Sequence, residues 1–96
     1  MTYRIRAKVW RYPGKGGWHF ANVSPKQSTE IRVRFADERR GFGSIPVTVR
    51  IGRTTWETSL FPAKQSRTYL FAIKAAVRKL ERIDDGDTIS AVIEIR

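Results

Sequence analysis

The sequence contains no cysteine, a single histidine and no long hydrophobic run. Without cysteine, disulfide bonds and cysteine-ligated zinc sites are excluded, and the composition fits a cytoplasmic location, which we expect. The first residues, MTYRIR, lack the apolar segment of a signal peptide. No apolar run approaches the roughly 20 residues of a membrane-spanning helix, so we expect no membrane association.

Catalytic and metal-binding patterns are also missing from the sequence. The Gly-x-Ser-x-Gly turn of many hydrolases is absent, and His19 stands among aromatic residues, where a structural or surface role is usual. Asp84, Asp85 and Asp87 lack the later ligands of a calcium loop, so a turn around Gly86 explains them better. We therefore assign no catalytic residue, no metal ligand and no cofactor, and we expect a binding module rather than an enzyme.

Acidic residues are scarce, and their scarcity gives the chain its strongest functional signal. In 96 residues, 19 lysines and arginines stand against 9 acids, a formal net charge of +10. Residues 1–53 carry 12 of the basic residues and 3 of the acids. Such an uneven charge indicates a polyanionic partner, most often nucleic acid, although basic residues also serve solubility alone.

The apolar residues predict a chain made mostly of strands. They form 41% of the sequence, enough for one small core, and we expect a single domain over residues 1–96. Alternating apolar and polar residues are typical of half-buried strands. The predicted strands lie within residues 2–23, as a hairpin with a loose tip, and at 45–51, 54–61, 69–73 and 89–95.

Two short helices are predicted between these strands. A serine cap followed by proline predicts a helix over residues 25–36 that begins after Ser24. A second helix is predicted over 74–82, with Val77 and Leu80 on its inner side. Because about six strands leave exposed edges unless the sheet closes, the sequence predicts a mostly β fold. We expect a small split or closed β-barrel of about six strands with two short α-helices.

The first strand suggests a binding surface in which cations and aromatic side chains alternate with apolar residues. Single-strand binders combine cations that follow the phosphate backbone with aromatic rings that stack on bases. The candidate nucleic-acid-binding residues are Arg4, Arg6, Lys8, Trp10, Arg11, Lys15 and Trp18. The alternative interpretation is a solvated strand face, with Trp10 covering one end of the barrel.

A second set of polar residues offers an alternative site. It would form a pocket for phosphate or carboxylate if the barrel brought its members together. The residues are Arg39, Arg40, Ser59, Lys74 and Arg78. Ion pairs between these cations and the aspartates at 84, 85 and 87 are the competing explanation. The glycine-rich segment 14–17 would cradle a phosphate or serve as a flexible hairpin tip. A protein-interaction module acting through an exposed barrel edge is a third hypothesis.

Several motifs follow one another in a fixed order along nearly the whole chain. They are GWHF at 17–20, RRGFG at 39–43, WETSLFP at 56–62, Tyr69, Ile73-Lys74, Val77-Arg78 and DGDTI at 85–89. In these motifs the chain resembles a bacterial and archaeal family, the domain of unknown function DUF1905. The resemblance implies a small split β-barrel near the fold of AbrB-like transition-state regulators and antitoxin DNA-binding domains. It implies no established activity.

Overall fold

The computed structural model describes residues 1–35, 37 and 43–96. Strands dominate the described residues, and two helices interrupt them. In chain order the elements are β1 (Thr2–Lys8), β2 (Trp10–Arg11), β3 (His19–Asn22), α1 (Pro25–Arg34), β4 (Ile45–Ile51), β5 (Thr54–Ala63), β6 (Thr68–Ala72), α2 (Ala75–Glu81) and β7 (Thr88–Ile95).

The strands form one curled antiparallel sheet in the order β1-β7-β4-β5-β6-β3-β2. Its two outermost strands, β1 and β2, are neighbours in sequence, with Val9 alone between them. β5 belongs to both halves of the sheet, because Thr54–Leu60 pair with β4 and Phe61–Ala63 pair with β6. The sheet therefore curls into a half-barrel, and 48% of the described residues are in strands. The predicted mostly β, barrel-like fold with two helices is confirmed.

The predicted N-terminal hairpin is present in part. β2 pairs with β3, with Trp10 opposite Phe20, whereas β1 pairs with β7 at the far end of the strand order. The chain bends at Val9, between β1 and β2. The Val9 N–H donates to the Asp87 carbonyl and the Val9 carbonyl accepts from the Gly86 N–H, both at 2.8 Å. These bonds tie the bend to the turn before β7, which places β1 beside β7 instead of β3.

The hydrophobic core fills the inside of the curl. Alternate residues of β1, β4 and β7 point inward, and Val49 and Ile93, which lie opposite each other, are fully buried. Trp56 packs near the ring of Phe71, with their centroids 6.4 Å apart. Since burial of one large apolar side chain contributes about 1.5–3 kcal/mol, these inner faces are what stabilise the half-barrel.

Helix α1 begins where the sequence predicts it. The Ser24 hydroxyl accepts a hydrogen bond from the Gln27 N–H at 3.2 Å, and a proline occupies the first helical position. Ile31 is buried, whereas Val33, two residues later, is 76% exposed, as a helix with one buried face requires. Ser28 is also buried, and its hydroxyl accepts from the Tyr69 N–H at 2.9 Å, so α1 is fastened to β6.

Helix α2 buries a narrower face than the sequence predicts. Val77 is buried, but Leu80 is 71% exposed, so its predicted inner position is wrong. The helix ends at Arg82 in the left-handed conformation, with φ at 56°. This turn brings Ile83 into the core in place of Leu80. Neither helix of the described residues is long and apolar enough to cross a membrane.

Candidate functional site

Four cations share the outer face of the sheet beside the β1 edge, and we call them the basic row: Arg4, Arg6, Lys8 and Arg50. Alternation along β1 turns its three cations outward while Tyr3 and Ile5 are buried. Arg50 comes into line because Arg4 pairs with Val92, which in turn pairs with Arg50. Among the described residues, no carboxylate oxygen lies within 4.0 Å of any of the four. Their charge is therefore open to an anionic ligand.

Two shallow grooves connect the basic row to the rest of the outer face. The first has a volume of about 410 Å³ and is lined by Arg4, Arg6 and Arg50. The second, of about 400 Å³, is lined by Arg6 and Lys8 on one side and by Asn22, Ser66 and Thr68 on the other. Because Arg6 lines both grooves, the cations lead directly to a patch of polar side chains on β3, on β6 and in the loop before β6.

A chain of hydrogen bonds joins this polar patch to Trp10. The indole Nε1 donates to Asn22 Oδ1 at 2.6 Å, and Asn22 Nδ2 donates to Thr68 Oγ1 at 2.9 Å. The Thr68 hydroxyl in turn lies 2.7 Å from the Ser66 hydroxyl. The network links β2, β3 and β6 and fixes the orientation of the Trp10 ring. Asn22 and Thr68 also line the groove that Arg6 and Lys8 line, so the ring lies beside that groove.

An exposed apolar surface begins at Trp10, and we call it the aromatic face: Trp10, Tyr12, Trp18, Phe20, Phe61 and Leu70. Trp18 is 56% exposed and Tyr12 is 52% exposed. Trp18 lies nearly parallel to Phe20, at 8° with centroids 6.2 Å apart, and the rings of Trp10 and Phe20 are 5.1 Å apart. Tyr12 and Trp18 lie just outside the strands, and their contiguous exposed apolar surface makes this face a candidate binding surface.

Sequence reasoning named two members of the aromatic face as site residues and missed others. Trp10 and Trp18 were in the predicted set, whereas Phe20 and Phe61 were not. The alternation of β5 offered a signal for Phe61. This residue follows the inward Leu60 and precedes a proline, so it lies on the outer side of the strand. Its proximity to Phe20 depends on β6, which pairs with both strands, and no local pattern reveals that arrangement.

The other predicted nucleic-acid-binding residues lie away from these two surfaces. Arg11 follows Trp10 and so points to the opposite side of β2, and its backbone N–H donates to Asp85 Oδ1 at 3.1 Å. Lys15 is exposed in the loop between β2 and β3. The structure thus brings Arg4, Arg6 and Lys8 next to Trp10, with Trp18 further along the same outer face.

The predicted anion set is divided by the fold. Lys74 and Arg78 line one cleft, whereas Ser59 lies on β5 opposite Pro46 and does not line it. Arg39 and Arg40 lie outside the described residues. The cleft is completed instead by the glycine-rich loop and the residues that follow it.

The aspartate turn before β7 forms no ion pair with Lys74 or Arg78, the two cations of the anion set that lie among the described residues. Asp85 accepts from a backbone N–H of β2, and Asp87 Oδ2 accepts from the Asp84 N–H at 2.8 Å. Within the described part of the chain, no carboxylate lies within 4.0 Å of a nitrogen of Lys74 or Arg78. Gly86 has a φ of 92°, so the turn interpretation of this segment is confirmed.

The single histidine lines the cleft that contains Lys74 and Arg78. His19 is 8% exposed, and its Nδ1 donates to the Gly17 carbonyl at 2.6 Å. Among residues 1–35, 37 and 43–96, no cluster of three or more histidine, cysteine or acidic side chains has the arrangement of a metal site.

The motifs that run along the chain correspond to a known protein family. A family model described as a domain of unknown function, DUF1905, matches residues 6–93. No curated protein matches the chain. The family predicted from the sequence motifs is therefore confirmed, while the relationship to AbrB-like barrels stays a prediction.

Proposed function

Since the chain belongs to the DUF1905 family, a domain of unknown function, we propose its function from its surface. It is a binding module for single-stranded DNA or RNA, which it holds on the outer face of the half-barrel. The observation that carries the proposal is the continuity of the basic row and the aromatic face through the bond between Trp10 and Asn22.

The basic row supplies the attraction for the phosphate backbone. Its four cations have no carboxylate partner within 4.0 Å among the described residues. Each phosphate that such a cation neutralises releases condensed counterions, which favours binding at low salt. The net charge of +10 adds a long-range attraction that raises the rate of encounter with a polyanion.

The aromatic face favours a single strand over a duplex. Base stacking on an aromatic side chain contributes about 1–3 kcal/mol and needs no particular sequence. The faces of the bases in a duplex are already stacked on one another, whereas those of a single strand are free to meet Trp18 and Tyr12. Both rings are more than half exposed.

The experiment is a titration of a fluorescently labelled single strand of about 12 nucleotides, followed by anisotropy at about 50 mM salt. Trp18→Ala removes the most exposed ring of the face, and we expect a loss in affinity of about 5- to 150-fold. The matched control is Leu80→Ala, which removes an exposed apolar side chain from α2, 71% exposed against 56% for Trp18. We expect the control to bind as the wild type does.

Two results would refute the proposal. The first is a wild-type protein that binds neither DNA nor RNA single strands under these conditions. The second is equal loss of affinity in Trp18→Ala and Leu80→Ala, since that would show that the aromatic face plays no special part. A duplex of the same length serves as the comparison ligand, and we expect it to bind more weakly than the single strand.

A further inference from the structure

A second concave site lies on the other side of Trp18, between the glycine-rich loop and α2. We call it the loop cleft. It has a volume of about 210 Å³, and its lining includes Gly16, Gly17, Trp18, His19, Lys74 and Arg78. It lies apart from the basic row, with which it shares no lining residue.

The cations of the loop cleft are oriented but unpaired. Arg78 Nε donates to the Ile73 carbonyl at 3.0 Å, which fixes the guanidinium and leaves its two Nη groups available. Lys74 precedes α2 and is exposed. No carboxylate of the described residues lies within 4.0 Å of either side chain. Two positive charges therefore face one small cleft without a partner.

The loop that closes the cleft is held in an unusual conformation. Gly16 and Gly17 both have positive φ, at 96° and 64°. A Cβ on Gly16 would stand 3.2 Å from the indole of Trp18, so glycine allows the loop to pass close to that ring. The described residues offer no hydrogen-bond acceptor to the N–H of Gly16 or Gly17.

His19 provides the buried polar side chain of the site. It is more than nine-tenths buried, and because a carbonyl oxygen only accepts, the bond to Gly17 requires a proton on Nδ1. Its other nitrogen, Nε2, has no hydrogen-bond partner among the described residues, but it is accessible to solvent. The donors that the cleft offers to an anion are therefore its two cations and two unpaired amides, because Nε2 of an imidazole protonated on Nδ1 alone is an acceptor.

We propose that the loop cleft binds a phosphate monoester. At neutral pH such a group carries a charge near −1.5 to −2 and three free acceptor oxygens, which suits two cations with several unpaired donors. A phosphate inside a nucleic-acid strand carries a single charge. The cleft therefore favours the phosphate at the end of a strand.

Trp18 connects this cleft to the surface described above. The same indole lines the loop cleft and the aromatic face. A terminal nucleotide with its base stacked on that ring would place its phosphate toward Lys74 and Arg78. This second step rests on the proposed function, whereas phosphate binding by the cleft does not.

The first experiment uses inorganic phosphate, titrated into the protein and followed by amide chemical shifts. We expect saturable shifts at Gly16, Gly17 and His19. Arg78→Gln and Lys74→Gln should each weaken binding by about tenfold, because each loses a charge-assisted hydrogen bond. Lys79→Gln, which removes a cation of α2 outside the cleft, should bind as the wild type does.

Absence of shifts in the wild type would overturn the proposal whatever the protein does with oligonucleotides. Equal weakening by Lys79→Gln would do the same, because it would indicate a general charge effect. Arg78→Gln also loses the bond to the Ile73 carbonyl, so its overall spectrum must match that of the folded protein. Lys74→Gln keeps the test decisive if Arg78→Gln does not fold, since Lys74 makes no side-chain hydrogen bond to the described residues.

The second experiment identifies the source of the phosphate. Strands that end in a 5′ or 3′ phosphate are compared with the same strands that end in hydroxyl groups. We expect one phosphorylated end to bind about tenfold more tightly, and Arg78→Gln to abolish that preference. Phosphate shifts without any end preference would support a site for free phosphate or a mononucleotide and overturn the link to the strand.

Discussion

The salt dependence of single-strand binding should come from the basic row. Removal of the same number of positive charges elsewhere on the protein should leave it unchanged. For single strands, the slope of log affinity against log salt concentration is about −0.7 for each neutralised phosphate. If the four cations of the basic row each contact one phosphate, the slope of the wild type is about −2.8. Affinity would then fall about 50-fold between about 50 and 200 mM salt.

The perturbation is the double variant Arg4→Gln/Arg6→Gln. It leaves two cations in the basic row, so the expected slope is about −1.4 and the loss over the same salt range is about sevenfold. The matched control is Lys79→Gln/Arg82→Gln, which lowers the net charge equally but touches neither outer groove. Its slope should stay near that of the wild type.

The assay is the anisotropy titration repeated at four or more salt concentrations for each protein. Since both double variants have the same net charge, a difference in slope reports the position of the charges and not their number. Equal slopes for the two variants would refute the reasoning, because the attraction would then come from the overall charge of the chain.

Further predictions concern stability, and they involve Ser28, Tyr3 and Gly52. Ser28→Ala leaves the buried N–H of Tyr69 without its acceptor, so urea unfolding should show a loss of about 1–3 kcal/mol, and a change under about 0.5 kcal/mol would contradict this. The Tyr3 hydroxyl is buried without a partner among the described residues, so Tyr3→Phe should keep or raise the free energy of unfolding. Burial, and then the charge of Glu30, raises the pKa of Tyr3 above its ordinary value of 10.0, so the folded state holds this proton more tightly than the unfolded state does. The free energy of unfolding of the wild type should therefore fall as the pH rises past 10.0. The fall should be shallower for Tyr3→Phe, which has no proton to lose. Gly52→Ala forces an L-residue to a φ of 58°, which costs about 1–2 kcal/mol, and thermal unfolding should show a lower Tm.

The elements that local chemistry determines were predictable from the sequence. The cap at Ser24 locates the start of α1, and the Gly52-Arg53 turn gives the hairpin of β4 and β5 its register. The inward alternation of β1 was also correct. Each of these features depends on residues within a few positions of one another.

The partners of the strands were not predictable in the same way. The alternation of β1 fits β3 and β7 equally well, and the choice depends on the bonds that join Val9 to the turn around Gly86. The position of Leu80 failed for a related reason, because the left-handed Arg82 ends α2 and turns Ile83 inward. Both outcomes follow from backbone geometry that side-chain periodicity does not contain.

The candidate site shows the same division. The basic residues of β1 were found because one strand carries them, but Arg50 joins them only through the register of β7 and β4. Lys74 and Arg78 were chosen as part of a larger set, and their actual neighbours are the glycine loop and His19. Residues drawn together from distant strands can be placed only when the register is known.

Removal of an exposed ring of the aromatic face should lower the affinity for a single strand without lowering the stability of the fold. The core inside the half-barrel is complete without Trp18, which is more than half exposed and belongs to no buried cluster of the described residues. A sheet surface needs no such ring for stability, and exposed apolar surface carries a risk of association. Trp18→Ala should therefore lower affinity for a single strand while changing the free energy of unfolding by less than about 1 kcal/mol. Trp10 differs, because its indole also donates to Asn22, so its removal should weaken binding and folding together.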